Sequence, residues 1–246
     1  MNADEVANMD KSQMAMARML SVATYESGSL YTGLPNTVDG TRLSDTELTM
    51  AVGLRLGVVV AALSTCICGA TLDELGHHAL TCNRGLERFR RHEALNQCIR
   101  SMFSAAGHAA LLEPRGLSAS DDRRPDGITV SAVEGDKPAA WDATVNQTCA
   151  PSHLRTALSG PCALADHAAK LKVTKYCNLS FRYKVVPFAV ETYGAMFKEA
   201  QALTDALSKK AKEASCDRRV RMLFYRRVQA AVQGGNARTE LSFSNI

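Results

Sequence analysis

No apolar run in the sequence reaches the ~18 residues that a membrane-crossing helix requires. The longest candidate, Val58 to Leu63, suits a buried strand or a helix end. The N-terminus, Met-Asn-Ala-Asp-Glu, has neither a basic leader nor an apolar one, which argues against a secretory signal. Charge of one sign is scarce as well. Lys plus Arg is 29 and Asp plus Glu is 25, a net +4, too mild to imply a nucleic-acid partner without local clustering. There is no internal repeat and no low-complexity tract. With 46% hydrophobic and 22% charged residues, a wholly disordered or collagen-like chain is excluded. A chain of 246 residues holds one large domain, or one ordinary domain and a small module.

What is present is cysteine, eight in all. Without a signal and in a chain of this size, a disulfide framework is not the expectation. Five are scattered and read as reduced thiols. Cys66, Cys68 and Cys82 crowd together, with His77 and His78 between them. Thiolates and imidazoles are the ligands of a closed tetrahedral Zn²⁺ site. Gly69 and Gly76 permit the tight turns that bring its halves together. The expected ligands are Cys66, Cys68, His78 and Cys82, with His77 as the alternative to His78. The competing reading is a set of buried thiols beside a surface histidine.

Patterning divides the chain. A weak helix is expected within 1–24 and a loop over 25–43. Ser44 and Glu47 form a capping box that opens a helix ending at Gly57. A second helix is expected from Leu86 to Ala105, one face apolar. A short strand at 109–113 and a polar loop at 118–124 follow. Ile128–Val133 and Ala140–Val145 read as a hairpin turning at Gly135. A loop through Pro151 and Pro161 leads to a helix at about 162–177. Val185–Val190 reads as a buried strand, and two helices at about 195–214 and 217–233 close the chain. The class is α/β, an α-β-β-β-α-β core with flanking helices on both faces.

The hairpin strands carry one acid each, Asp126 after Pro125 and Asp142 after Trp141, and Glu113 ends the preceding strand. Converging carboxylates repel unless a cation lies between them, and Mg²⁺ suits one or two carboxylates with room for a phosphate. A Lys at position 144 would complete such a site, but Thr stands there. The following helix offers Lys170, Lys172 and Lys175; Lys172 and Lys175 share a face, with Tyr176 beside them. The bland alternative is a Pro-Asp turn and a solvated strand acid. Trp141 should point away from Asp142 into the core, with Phe224, Tyr225 and Val228 as further core. His92 and His108 read as satisfied histidines rather than ligands.

Two basic clusters are candidates for phosphate contact: Arg88 and Arg91 on the second helix, and Arg218, Arg219, Arg226 and Arg227 near the C-terminus. Solvated helix faces and helix-dipole placement compete with that reading.

The run Arg124-Pro-Asp-Gly127, then Ala140-Trp-Asp-Ala-Thr-Val145, then Lys172 with Lys175-Tyr176, resembles the restriction-like endonuclease domain of non-LTR (LINE-type) retrotransposons. That domain is a PD-(D/E)XK variant whose Lys has moved to the following helix. Cys66, Cys68, His78 and Cys82 resemble the zinc knuckle that precedes it. Arg42-Leu-Ser-Asp, Val52–Gly57, Arg91-His92 with Leu95-Asn96, Glu113-Pro114, Phe188–Thr192 and Gln233–Ala237 extend the likeness over roughly residues 27–240. The resemblance implies a restriction-endonuclease-like fold that nicks DNA and leaves a 3′-hydroxyl. It implies Asp126 and Asp142 as ligands of Mg²⁺ or Mn²⁺, Glu113 as an accessory acid, Lys172 or Lys175 as the relocated basic residue, and Tyr176 at the substrate phosphate. Glu191 is either a site residue or a solvated strand-end acid, the second being favoured. The implied partner is DNA, or RNA of the parent element. The implied location is intracellular and, in a eukaryote, nuclear. The implied units are 1–63, a knuckle at 64–83, the nuclease domain at 84–240 and a tail at 241–246. The residues before the knuckle are too few for a polymerase palm, so the chain reads as a piece of a larger element protein or a repurposed copy. Two rivals remain: a catalytically inactive nucleic-acid-binding module, and a domain that self-associates through its helices at 195–233.

Overall fold

The computed structural model describes residues 11–117 and 124–244. It is a mixed α/β structure built on one four-stranded mixed sheet and a two-stranded ribbon. Helix α1 spans Lys11–Val22 and is followed by a 3-10 turn at Glu26–Tyr31. Helix α2, Asp45–Leu56, begins where the capping box places it. The Ser44 hydroxyl accepts from the Glu47 amide at 3.2 Å, and the Glu47 carboxylate accepts from the Ser44 amide at 2.8 Å. Gly57, at φ 69°, ends the helix in the left-handed conformation that glycine adopts without penalty. Strands β1 (Ser64–Thr65) and β2 (Thr71–Leu72) pair antiparallel and lead to the short helix α3, His77–Thr81.

Helix α4, Glu87–Ala105, buries Leu95, Cys98, Ile99, Met102 and Phe103 on its apolar face. Strands β3 (Ala110–Leu112), β4 (Gly127–Glu134) and β5 (Lys137–Asn146) run antiparallel in sequence. After β5 come α5 (Pro151–Ala157) and α6 (Ala163–Lys175), and β6 (Lys184–Glu191) returns parallel to β5. A parallel neighbour needs a crossover, which α5 and α6 supply. Alternation along β5 then separates two faces. Ala139, Trp141 and Ala143 join the core with α4 residues. On the other face Ala165, Ala168 and Ala169 of α6 pack on Ala189 of β6. Small side chains let α6 lie close to the sheet.

Helices α7 (Lys198–Ser215) and α8 (Val220–Gln229) close the core. Here the expectation of a helix stopping at 233 and a tail from 241 fails. A π-helical turn, Ala230–Gly234, carries the chain straight into α9, Gly235–Ser244. Gly234 and Gly235 act by close approach rather than as a stop. A Cβ on Gly234 would stand 2.7 Å from Leu43 Cδ2, and one on Gly235 2.5 Å from Arg91 Cγ. Phe243, expected in the tail, is buried against Cys66, Leu72, Ala79 and Cys82.

Two further differences are local. Pro151 does not hold a loop but opens α5, since proline at a first helical position forfeits no helical hydrogen bond. The 25–43 segment buries Ser27, Ser29 and Leu30 in its 3-10 turn. The polar loop expected at 118–124 lies outside the described residues except for Arg124. Among the described residues no helix is long and apolar enough to cross a membrane.

Candidate functional site

The ribbon turn and α3 bring the cysteine-histidine cluster together. Cys66 Sγ lies 3.6 Å from Cys82 Sγ, and Cys68 Sγ lies 3.3 Å from His78 Nε2. The four ligand atoms all fall within 4.8 Å of one another. A tetrahedral Zn²⁺ with Zn–S bonds near 2.3 Å holds its sulfurs about 3.8 Å apart. The donor set and its dimensions therefore fit a metal such as zinc. His78, not His77, completes the set. The His77 ring faces Asp73 instead, at 3.5 Å. Asp73 also receives the amides of Leu75, His77 and His78, at 3.1, 3.1 and 2.7 Å, and so fixes the start of α3. An amide hydrogen bond from Ala70 holds the Cys68 thiol below its ordinary pKa, toward the thiolate that a metal binds.

The acidic residues gather around the middle of β5. Asp126, just before β4, reaches across so that its Oδ2 accepts from the Ala143 amide at 2.7 Å. The same oxygen lies 3.0 Å from His92 Nε2 on α4. Burial alone would raise the Asp126 carboxyl. The His92 ring, the Ala143 amide and the Asn96 amide outweigh it and hold the carboxyl below its ordinary range. His92 is raised in turn, first by its hydrogen bond to Asp126 and against its own burial, with the Ala143 carbonyl and the Asp142 charge adding to the rise. Asn96, one helical turn beyond His92, accepts the Trp141 indole N–H at 3.1 Å. The Trp141 ring stacks on Phe103, with centroids 5.1 Å apart. The indole is thus on the core face, where alternation with Asp142 puts it.

Asp142 is only 3% exposed. Lys172 Nζ contacts its Oδ1, and Lys175 Nζ lies 3.6 Å from its Oδ2. Helix α6 therefore delivers both lysines to the strand acid, although position 144 is Thr. Tyr176 is 2% exposed, and its hydroxyl donates to the Arg124 carbonyl at 2.7 Å. That bond ties the end of α6 to the segment before Asp126. It corrects the assignment of Tyr176 to a substrate phosphate.

Glu113 does not converge with the two aspartates. Its side chain is 72% exposed and pairs with Arg124 at 3.4 Å. A left-handed φ of 46° at Glu113 turns the chain there, while its amide donates to the Asp126 carbonyl at 2.8 Å. Among the described residues, the only group of three or more Cys, His, Asp or Glu close enough to share an ion is the cysteine cluster. Glu191 is not solvated but 2% exposed. It accepts from the Ala165 amide at 3.3 Å, in the first turn of α6. Burial raises its pKa against the hydrogen bonds it receives from Ser21, Ala165, Leu164 and Thr148.

Several arginines are structural. Arg91 is 3% exposed and donates to Asn236 of α9, so it cannot meet a phosphate. Burial lowers its pKa to about 10. Arg226 donates to the Gly33 and Leu34 carbonyls and Arg227 to that of Asp39, which pins the loop before α2 to α8. Arg88 is half-buried and donates to Asn83 Oδ1 at 2.6 Å. Arg218 and Arg219 stay exposed, the latter paired with Asp217 at 3.1 Å. Sequence reasoning read His92 as a satisfied histidine and noted it beside Asn96 in the resemblance, but did not pair it with Asp126.

No family model matches this chain, and no curated protein matches it.

Proposed function

We propose that the chain is a metal-dependent DNA endonuclease domain of the restriction-like class, hydrolysing a phosphodiester to leave a 3′-hydroxyl. One observation carries the reading: Asp126 accepts from the amide of Ala143, the residue after Asp142 on β5, and Lys172 and Lys175 of α6 reach Asp142. The element order α4-β3-β4-β5-α5-α6-β6 supports the α-β-β-β-α-β core that the resemblance implies, with the short α5 added ahead of α6. In donor type and number, two carboxylates fit Mg²⁺ or Mn²⁺, which keeps several waters and takes few protein ligands. Asp126 and Asp142 would hold that ion, which supplies positive charge to a phosphate oxygen and acidity to a bound water.

The chain's own groups do the rest. His92 and the Ala143 amide keep Asp126 ionised and oriented. Lys172 and Lys175 bring positive charge to where the transition-state phosphate is most negative. Tyr176 holds the Arg124 segment against α6, and Glu191 anchors the opposite end of that helix. On this reading the cysteine-histidine cluster and the exposed Arg218 and Arg219 would contact the nucleic acid. The substrate on this reading is cellular DNA, nuclear in a eukaryote.

Plasmid nicking tests this, with zinc-loaded wild type, Asp126→Ala and Asp142→Ala in Mg²⁺ or Mn²⁺. The expected result is metal-dependent conversion of supercoiled to open circles, reduced at least about 100-fold in both variants. Nicking that survives both substitutions would place the activity elsewhere or in a contaminant. A second reading has its own support. Both acids already face cations of the chain, Asp142 two lysines and Asp126 a histidine, and such a site persists without an ion. A folded wild type that shifts DNA and never nicks it would establish that reading, an inactive nucleic-acid-binding module of the same fold.

A further inference from the structure

From the last turns of α6 onward, residues 170–184 read Lys-Leu-Lys-Val-Thr-Lys-Tyr-Cys-Asn-Leu-Ser-Phe-Arg-Tyr-Lys. Five are basic, Lys170, Lys172, Lys175, Arg182 and Lys184, and none is acidic. Within this stretch Phe181 is 86% exposed, although a phenylalanine side chain gains more than most from burial. The loop that carries it is not loose. Leu179 accepts from the amides of both Arg182 and Tyr183, at 3.0 and 2.9 Å. The Ser180 amide donates to Cys177 at 3.1 Å, and Lys137 of the hairpin donates to the Ser180 carbonyl at 3.1 Å. The same short segment begins at Tyr176, which is hydrogen-bonded to the Arg124 carbonyl beside Asp126. Phe181 is thus presented outward by a fixed turn held at the hairpin end of β5, five residues along the strand from Asp142.

We propose, on the basis of the DNA reading above, that this segment is a single-strand binding element in which Phe181 stacks on an unpaired base. Charge complementarity selects the occupant. Lys172 and Lys175 face Asp142, but Lys170 and Arg182 are exposed and the strip carries more cations than acids, so it calls for a polyanion, and the ring calls for an apolar π-face. Nucleic acid offers both, as backbone phosphates and bases. A base inside a duplex has its faces covered by its neighbours, so the ring can stack only where the strand is unpaired or frayed. Because the turn is already ordered, little conformational freedom is lost on binding.

The test uses the full chain, zinc-loaded and without added Mg²⁺ or Mn²⁺, so that DNA is bound and not cut. The probes are a short duplex with a single-stranded extension containing 2-aminopurine, and a blunt duplex of the same sequence. Phe181→Ala is expected to weaken binding to the extended probe about ten-fold, to abolish the fluorescence change, and to leave blunt-duplex binding unchanged. Phe181→Trp should retain both affinity and fluorescence change. The side chain lies outside the core, so neither substitution disturbs packing. Equal affinities and unchanged fluorescence for wild type and Phe181→Ala would overturn the stacking role and leave the endonuclease reading standing. Equal losses on both probes, or a Phe181→Trp that behaves like alanine, would also overturn it. A wild type that binds neither probe would overturn both the stacking role and the DNA reading beneath it.

Discussion

At the residue scale, the acidic centre is governed by His92 and Asp126. Each shifts the other, His92 upward and Asp126 downward. The raised histidine contributes stability that is complete below its ordinary value of 6.5 and is lost as pH rises through the raised one. The depressed aspartate contributes stability present above its ordinary value of 3.8 and lost as pH falls through the lowered one. The pair is therefore at full strength between those two ordinary values. The His92 side chain is 42% exposed, so solvent screening limits the gain to roughly 0.5–1 kcal/mol. Urea unfolding of wild type and His92→Gln from pH 4 to 9 checks this. The stability difference should be largest near pH 5–6 and shrink above the raised histidine pKa; a difference independent of pH would reject the pair. The sequence could not disclose this partner, because a histidine on a helix shows what it is near only after the helix has packed.

At the element scale, the Arg-Pro-Asp-Gly run has a packing reason. A Cβ at Gly127 would overlap the six-membered ring of Trp141, which lies directly against the backbone there. Asp126 is therefore held by a close approach that only glycine allows, while Gly127 pairs with Trp141 across the β4–β5 ladder. Gly127→Ala is expected to cost about 1–3 kcal/mol by overpacking and to move Asp126 with the strand. Thermal unfolding together with the nicking assay reads both effects, and an alanine variant of wild-type stability would show that the ring can yield. The hairpin, the capped α2 and the α4 face were legible, since each rests on local period or cap chemistry. The continuation from α8 into α9 was not. Two adjacent glycines discourage a helix locally, yet here they admit Leu43 and Arg91, and that requirement comes from distant parts of the chain.

At the scale of the whole molecule, the segments ahead of the ribbon are tied to the C-terminal helices and to the end of β6. Gln233 of the π-turn donates to the Ser27 carbonyl at 2.8 Å, Arg238 of α9 pairs with Glu47 at 2.9 Å, and Arg55 of α2 reaches the Tyr193 carbonyl at 3.3 Å. Phe243 closes the metal cluster's small apolar core. Removing the metal should therefore do more than loosen a knuckle. Chelation, or Cys82→Ser, is expected to lower the melting temperature and to expose the 64–83 segment to protease, with about one zinc released per chain. Phe243→Ala should destabilise by about 3 kcal/mol and promote zinc loss at a lower chelator concentration. Metal release measured with a colorimetric dye, beside the unfolding curve, checks both. A cluster whose zinc leaves without any change in melting would not be structural.

The sequence alone determined the helices and strands with strong local signatures, the inward turn of Trp141, and the four ligands of the metal cluster, with His77 left as the alternative to His78. These depend on period, capping and donor chemistry, all written within a few residues. Only the tertiary structure decided that His78 joins the three cysteines while His77 turns to Asp73, that His92 serves Asp126, and that Glu113 stays exposed. It also decided that Arg91 is buried and that the half-buried Arg226 and Arg227 donate to backbone carbonyls of the loop before α2. Those assignments turn on which remote element packs over each side chain. Burial converts a cation from a free surface charge into a fixed donor, and no local pattern in a sequence records burial by distant neighbours.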